Sequence, residues 1–311
     1  MSRPPLVAIV GPTATGKSAL GIALARRLGG EIISCDSTAV YRGFDIGTDK
    51  VPPSEQQGIP HHLVDVADPT EEYSAARYAR DAAAVIRAIT SRGTLPILVG
   101  GTGFYYRALT RGLFEGPSRD EALRRRLERV AERRGPGRLH AWLARVDPES
   151  ASRNQPRDVK RVVRALEVWL LTGRPLTAHF AETKAPLPEY NVIAFALKIS
   201  PHETAERVAR RVDAQFERGL MDEIRGALAR GVPETALPFT GLVYRQAVEL
   251  LHGIRGEQES RALIVRENRK YSRRQLIWFR KEPNLCWVSA PGERADTQAD
   301  VIARLEQQLP S

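Results

Sequence analysis

The sequence has little cysteine and no long run of apolar residues. Its two cysteines, Cys35 and Cys286, are too few for a disulfide framework or a four-ligand zinc site. No apolar run approaches the roughly 18 residues that a membrane span needs. The first residues also lack the charged start and apolar stretch of a signal peptide. We therefore expect a reduced, cytoplasmic protein with no membrane partner.

The composition also excludes disorder as the dominant state. Hydrophobic residues make up 42% of the chain and charged residues 27%, which is ordinary for a soluble globular protein. At 311 residues, the chain exceeds the size at which a single hydrophobic core stops growing. We therefore expect one large α/β domain that carries a second, smaller unit.

Acidic residues are outnumbered by basic ones, and the basic excess is clustered. The chain has 47 Lys and Arg against 37 Asp and Glu, a net charge of +10. Residues 119–184 hold 16 basic and 9 acidic side chains, and residues 261–281 hold 8 and 1, so each segment carries +7. Clustered positive charge favours a polyanionic partner and indicates nucleic-acid binding.

The order of apolar runs and helical stretches predicts a parallel sheet in the first third of the chain. Strands are expected at Leu6–Val10, Glu31–Asp36 and Leu95–Val99. Helices are expected between them, at Ser18–Leu28 and from a Ser74 cap to Ser91, with a long polar loop at residues 43–72. Such alternation is typical of a right-handed parallel α/β sheet.

The rest of the chain is predicted to contain a helical insertion and a return to the sheet. The insertion is expected at residues 113–189, within a core formed by residues 1–112 and 190–311. Its best predicted helix is Val159–Leu171. After it, strands are expected at Val192–Ile199 and Trp287–Val288, and helices at Thr204–Arg230, at Ser260–Lys281 and near the end of the chain.

A phosphate-binding loop follows the first strand. The pattern G-x-x-x-x-G-K-[ST] is matched by Gly11, Pro12, Thr13, Ala14, Thr15, Gly16, Lys17 and Ser18. Its glycines let backbone N–H groups face a phosphate, Lys17 bridges two phosphates, and the Ser18 hydroxyl is available to Mg²⁺. We therefore predict a P-loop NTPase-like core with a helical, basic insertion domain, and a di- or triphosphate ligand.

The acid that would accompany this loop is Asp36. The third strand ends in Gly100-Gly101-Thr102 and not in the aspartate of an ATPase. Asp36 ends the second strand, so it faces the same crevice as the phosphates and could take a proton from an attacking nucleophile. A helix cap or a water-mediated metal contact is the alternative for Asp36. His61 and His62 are interpreted as positioning residues or as ordinary loop packing.

Several motifs then occur in order between Leu6 and Lys281, and together they resemble one enzyme family. They are the phosphate loop and residues 34–37 (Ser-Cys-Asp-Ser), 41–48 (Tyr-Arg-Gly-Phe-Asp-Ile-Gly-Thr), 60–63 (Pro-His-His-Leu), 99–103 (Val-Gly-Gly-Thr-Gly), 164–168 (Arg-Ala-Leu-Glu-Val) and 274–280 (Arg-Gln-Leu-Ile-Trp-Phe-Arg). The series is similar to the bacterial tRNA dimethylallyltransferases. Departures from the family pattern occur at Arg157 and Val243.

The resemblance implies transfer of a dimethylallyl group from its diphosphate to N6 of the adenine 3′ to the anticodon (position 37) of tRNA. It implies that the phosphate loop holds dimethylallyl diphosphate with Mg²⁺ at Ser18, and that Lys17, Asp36, Thr102 and Arg207 act in catalysis. Arg207, with Arg211 one turn later, matches arginines near the departing diphosphate in that family. It implies a monomer and a tRNA site formed by Asp36, Ser37, Thr38, Ala39, Thr102, Lys160, Arg161, Arg164, Thr240, Tyr244, Arg245, Arg273, Arg274 and Gln275.

Two other functions use the same loop. The first is a small-molecule or nucleoside kinase that binds ATP there. The second is an ATP-switched RNA-binding protein, which would need a water-ordering acid that the sequence does not place. ATP hydrolysis would distinguish both from prenyl transfer.

Overall fold

The computed structural model describes residues 3–114 and 116–309. The chain divides into two compact units, one formed by residues 1–110 with 186–311 and the other by residues 111–185. The larger unit contains the phosphate loop and the smaller one lies between its two halves in the sequence. No described helix is long and apolar enough to cross a membrane.

The larger unit is built on a six-stranded sheet in which every strand pair is parallel. Its strands are β1 Pro5–Val10, β2 Gly30–Ser34, β3 His61–His62, β4 Leu95–Gly100, β5 Asn191–Leu197 and β6 Leu285–Val288. The order across the sheet is β3-β2-β4-β1-β5-β6. The predicted parallel α/β sheet is therefore confirmed, and β5 and β6 belong to it as expected.

The central strands of this sheet are buried on both faces, which explains their uninterrupted apolar sequences. Residues 6–10 of β1 are fully buried between β4 and β5. Leu20 and Leu24, from the first helix, and Phe195 of β5 join Val7 and Ile9 of β1 in one hydrophobic core. This core fixes the strand that leads into the phosphate loop.

The helices are α1 Lys17–Leu28, α2 Ala75–Ser91, α3 Gly103–Arg111, α4 Glu121–Arg134, α5 Pro136–Val146, α6 Pro148–Arg153, α7 Val159–Thr172, α8 Leu176–Glu182, α9 Pro201–Glu217, α10 Leu220–Ala229, α11 Leu242–Leu251, α12 Glu257–Phe279 and α13 Ala295–Glu306. Short 3₁₀ turns occur at Pro53–Glu55 and Leu237–Thr240. The Ser74 hydroxyl accepts from the Arg77 N–H and caps α2 as predicted.

Three local expectations need correction. The segment at His61–His62 is an edge strand and not part of a loop, because its backbone pairs with Ile32 and Ile33 of β2. The predicted helix at 204–230 is two helices, separated at Gly219, whose φ of 91° leaves the helical region. Helix α11 was not predicted.

The smaller unit consists of α4 to α8 packed around a core of its own. Leu127, Leu143, Val162 and Leu166 are buried in this core. The predicted helix at Val159–Leu171 is present as α7, which buries Val162, Val163 and Leu166, whereas Leu170 near its end is exposed.

Glu167 of α7 is a buried charge that organises this unit. Its side chain is fully buried, and its carboxylate accepts from the Asp120 N–H at 2.8 Å and pairs with Arg164 at 2.8 Å and Arg124 at 3.4 Å. Arg164 also donates to the Pro117 carbonyl at 3.2 Å. Arg164 was predicted to contact tRNA. In the structure its guanidinium forms an ion pair with the buried carboxylate of Glu167.

We expect Glu167→Ala to lower the free energy of unfolding of the smaller unit by about 3–5 kcal/mol, because it leaves the largely buried Arg124 and the partly exposed Arg164 without their carboxylate. Glu182→Ala, which breaks the exposed Arg174–Glu182 pair, is the matched control and should change it by less than about 1 kcal/mol. Urea unfolding followed by tryptophan fluorescence measures both. Equal midpoints for the two variants would contradict this role of Glu167.

Candidate active site

The phosphate loop joins β1 to α1 in a backbone conformation with positive φ values, which few residue types other than glycine adopt readily. Gly11, Ala14 and Gly16 have φ values of 131°, 64° and 80°. A Cβ on Gly11 would lie 2.5 Å from the Leu197 carbonyl oxygen, so a side chain is excluded there. The left-handed residues turn successive N–H groups toward one concave side, which is the geometry of an anion site.

Side chains hold this loop from both ends. Thr15 Oγ1 and Lys17 Nζ donate to the Pro12 carbonyl at 2.9 and 2.6 Å. From α12, Gln275 Oε1 accepts from the Thr13 N–H at 2.9 Å, and its Nε2 donates to the Gly101 carbonyl at 2.9 Å. Gln275 was predicted to contact tRNA. Its buried amide instead connects the phosphate loop to the turn after β4.

The ammonium group of Lys17 lies in an unusual electrostatic environment. Burial, and secondarily the positive charge of Arg211, lowers the pKa of Lys17 to about 7, although Asp36 acts in the opposite direction. An anionic ligand next to Lys17 would restore the charged form. We therefore expect an anion that binds at this loop to be accompanied by proton uptake at Lys17.

Two arginines of α9 lie near the loop and have different partners. Arg211 donates to Thr13 Oγ1 at 2.7 Å and pairs with Asp49 at 3.0 Å. Arg207 pairs with Glu203 at 3.0 Å and with Glu293 at 2.5 Å. The structure therefore places Arg211, and not Arg207, in contact with the phosphate loop.

Asp36 lies directly beyond β2, next to the turn after β4. Its Oδ1 accepts from the N–H and hydroxyl of Thr38 at 2.8 and 2.7 Å and from the Ala39 N–H at 3.4 Å. Within residues 3–114 and 116–309, no donor bonds to Oδ2. Thr102 Oγ1 accepts from the Ser37 N–H at 3.0 Å. The carboxylate is thus held in place by one oxygen while the other stays available.

The phosphate loop and Asp36 open into the same cavity, which has a volume of about 860 Å³. Lys17, Ser18 and Arg211 line it together with Asp36. Its polar residues are accompanied by apolar ones, namely Ala19, Ile22, Ala23, Ile32, Val51 and Val99. A ligand with an anionic head and an apolar tail fits this lining.

Tyr271 of α12 also lines the cavity and was not predicted as a site residue. Burial, together with the nearby Asp36 carboxylate, raises the pKa of its hydroxyl to about 12. The available signal was its spacing, since Tyr271 lies one helical turn before Gln275.

The two histidines have separate environments. His62 Nε2 bonds to Glu31 Oε2 at 2.6 Å, and Glu31 also pairs with Arg92 at 2.9 Å. His61 Nδ1 bonds to the Ile59 carbonyl at 2.9 Å, and its ring lines the cavity. No group of three or more His, Cys, Asp or Glu suited to a metal ion occurs in the part of the chain that the structure describes.

The remaining predicted tRNA contacts fall into two groups. The exposed ones are Lys160, Arg161, Thr240, Arg245, Arg273 and Arg274. Tyr244, in contrast, is 2% exposed, and its hydroxyl donates to Glu223 Oε1 at 2.6 Å and accepts from the Gly47 N–H at 3.0 Å. Glu223 also accepts from the N–H groups of Asp45 and Ile46. Tyr244 therefore positions the loop after Phe44 and is not a surface contact.

Comparison with known proteins gives a consistent result. Residues 39–282 match the family model described as IPP transferase. The chain is 45% identical over 303 residues to the tRNA dimethylallyltransferase of Solibacter usitatus, with 96% of this chain and 98% of that protein covered.

Two solved structures are similar over nearly the whole chain. The tRNA isopentenylpyrophosphate transferase of Bacillus halodurans is 37% identical, with a TM-score of 0.73 and coverage of 98% of this chain and 97% of that one. A eukaryotic dimethylallyltransferase described as acting on tRNA is 27% identical, with a TM-score of 0.80 and coverage of 99% and 80%. The predicted P-loop NTPase-like fold is confirmed by these neighbours.

The pKa of Lys17 leads to a prediction about anion binding. The ratio of the Kd values of Lys17→Ala and wild type for inorganic diphosphate should be highest below about pH 7 and decline above it, because unliganded Lys17 loses its charge there. Using the ratio cancels the titration of diphosphate itself. Calorimetric titration between about pH 6 and pH 9 measures both values. A ratio that does not change with pH would contradict the lowered pKa.

Proposed function

We propose that this chain, which belongs to the tRNA dimethylallyltransferase (IPP transferase) family, transfers a dimethylallyl group from dimethylallyl diphosphate to N6 of the adenine at position 37 of tRNA. The observation that carries the proposal is the single cavity into which both the phosphate loop and Asp36 open. Donor and acceptor can therefore meet between an anion site and a general base.

The donor end of the cavity supplies positive potential for the leaving group. An allylic diphosphate ionises through a cation-like state, so catalysis depends on stabilising the departing negative charge. The loop N–H groups, Lys17 and Arg211, which contacts the loop at Thr13, would supply the positive potential around a bound diphosphate. The apolar side chains of the same cavity suit the five-carbon tail.

The residues present also fit a magnesium ion. The Ser18 hydroxyl lines the cavity, and the structure shows no hydrogen bond to it from the described residues. Mg²⁺ prefers oxygen ligands and is commonly bound by one protein side chain together with phosphate oxygens and water. When bound, the ion would help to neutralise the diphosphate. Ser18 would hold it, and Lys17 would contact the same phosphates.

The acceptor end of the cavity provides the base. The exocyclic amine of adenine is a weak nucleophile. Removal of its proton as it attacks prevents the reaction from reversing. The bond from N6 to the allylic carbon forms, the carbon–oxygen bond to diphosphate breaks, and the proton passes to Asp36 Oδ2. Thr38 and Ala39 hold Oδ1, which keeps the carboxylate aimed. Thr102 fixes the adjacent Ser37 N–H.

The tRNA would be bound mainly through its phosphates. The segments 119–184 and 261–281 each carry a charge of +7, and Lys160, Arg161, Arg273 and Arg274 are exposed on them. Such contacts position a nucleic acid without reading its sequence. We assign this role to the predicted insertion at residues 113–189 and to α12. The target adenine must also leave its stack to reach Asp36.

The direct test is mass spectrometry of nucleosides from tRNA incubated with the protein, Mg²⁺ and dimethylallyl diphosphate. The proposal expects dimethylallyladenosine and released diphosphate. Rapid ATP hydrolysis with no alkylated adenosine would instead favour the kinase alternative and overturn the proposal.

We expect Asp36→Asn to slow the chemical step by roughly 10²–10⁴-fold while tRNA affinity changes only a few-fold, because the amide cannot accept the proton. Asp68→Asn, at an exposed aspartate that accepts from Thr70, is the matched control and should react at the wild-type rate. Single-turnover kinetics with excess enzyme measures the step. An unchanged rate in Asp36→Asn would exclude Asp36 as the base.

Lys160→Glu with Arg161→Glu should weaken tRNA binding and reduce the slope of log K against log salt by roughly one for each phosphate that the protein no longer neutralises. Arg304→Glu provides the control, since Arg304 is also an exposed arginine with an acidic partner on its own helix, and it lies outside both basic segments. Filter binding over a series of salt concentrations measures the slope. The same slope in the double variant and wild type would place the RNA contact elsewhere.

A further inference from the structure

Phe104 is a large aromatic side chain left exposed beside the catalytic residues. It is 54% exposed, whereas Tyr105 and Tyr106, which follow it in α3, are buried. Neither the phosphate loop nor Asp36 requires an aromatic residue at this place. A single exposed aromatic side chain needs no explanation by itself, so a function for Phe104 depends on where it lies relative to Asp36 and α12.

The position of Phe104 is fixed relative to Asp36. Thr102, two residues earlier, donates its N–H to the Cys35 carbonyl at 3.0 Å and accepts from the Ser37 N–H at 3.0 Å. These two bonds flank Asp36 in the sequence. Phe104 therefore projects from a backbone segment that is hydrogen-bonded to the residues on either side of Asp36.

The start of α3 is also fixed against α12. A Cβ on Gly103 would lie 2.2 Å from the indole ring of Trp278, so the two helices meet at a close backbone-to-ring contact. The guanidinium of Arg107 lies 4.5 Å from the centre of the same ring. Phe104 is thus presented on a rigid support, which a stacking residue needs.

The neighbouring surface of α12 combines apolar and cationic groups. Ile277, next to Trp278, is 45% exposed. Arg274 is exposed one turn earlier, and its guanidinium lies 5.7 Å from the ring of Tyr271, which lines the cavity. A purely apolar protein partner would gain nothing from the exposed charge of Arg274. Unstacked nucleotides need aromatic faces for bases and cations for phosphates, so the surface favours a single-stranded nucleic acid.

We propose that Phe104 stacks against a base adjacent to the target adenine and occupies the position that the adenine leaves when it rotates toward Asp36. This inference rests on the proposed function and identifies a positioning residue for it. Extrusion of a nucleotide loses its stacking in the anticodon loop. An aromatic ring that replaces the missing stacking partner would offset much of that loss. Phe104 would thus act on the population of the extruded state and not on the chemistry.

The test compares Phe104→Ala, Phe104→Trp and wild type on an anticodon stem-loop. Ile254→Ala is the control, because Ile254 is also exposed, at 63%, but is distant from Phe104 along the chain. It lies before the first residue of α12, and that end of the helix is about 30 Å from Trp278. The single-turnover rate should fall roughly 10- to 100-fold in Phe104→Ala. It should recover in Phe104→Trp and stay unchanged in Ile254→Ala, with one apparent KM for dimethylallyl diphosphate throughout.

A second RNA separates extrusion from chemistry. In a short oligonucleotide whose target adenine has abasic neighbours, no stacking has to be broken, so Phe104→Ala should react within about 3-fold of wild type. In the stem-loop with 2-aminopurine at the target position, the fluorescence rise on binding should be smaller for Phe104→Ala than for wild type.

Equal rates of Phe104→Ala and wild type on the stem-loop would overturn the inference. Equal losses on the stem-loop and on the abasic oligonucleotide would also overturn it, since they would indicate a structural defect. Failure of the proposed function is distinguishable, because the wild-type chain would then alkylate neither RNA.

Discussion

Two backbone hydrogen bonds between the ends of β2 and β4 set the geometry on which the site depends. The Cys35 N–H donates to the Val99 carbonyl at 2.8 Å, and the Thr102 N–H donates to the Cys35 carbonyl at 3.0 Å. A Cβ on Gly100 would lie 2.1 Å from that carbonyl oxygen, so the approach requires glycine. The bonds bring Asp36 and the turn after β4 to the edge of the sheet where the phosphate loop also emerges from β1.

The second constraint comes from far along the chain. Gln275 of α12 accepts from the Thr13 N–H and donates to the Gly101 carbonyl, so one buried amide holds both loops that surround the cavity. Tyr271 and Arg274 lie one turn or less before it on the same helix. Helix α12 thus contributes to the cavity wall and also carries exposed cations that we assign to tRNA. The electrostatic surface and the chemical site therefore share one rigid element.

Much of the fold and part of the site could be predicted from local sequence. The phosphate loop, the parallel strands and the Ser74 cap follow from short-range rules, since each depends on residues within about one turn or one strand. Asp36 could be located because parallel strands end at one edge. The structural partners of Arg164, Tyr244 and Gln275 could not be predicted from local sequence. All three have motif positions typical of a tRNA contact, yet their polar groups bond to Glu167, Glu223 and the phosphate loop.

The sequence alone determined that the chain forms a parallel α/β core with a phosphate loop, an acid at the end of the second strand and two basic segments, because these features are encoded by neighbouring residues and by composition. Only the tertiary structure decided which side chains face the cavity, which cations contact the loop and which polar groups are already bonded. Arg211 and Arg207 lie one helical turn apart, and only the folded chain brings Thr13 to one and Glu293 to the other. Hydrogen-bond partners so distant in sequence are fixed by packing and leave no local pattern.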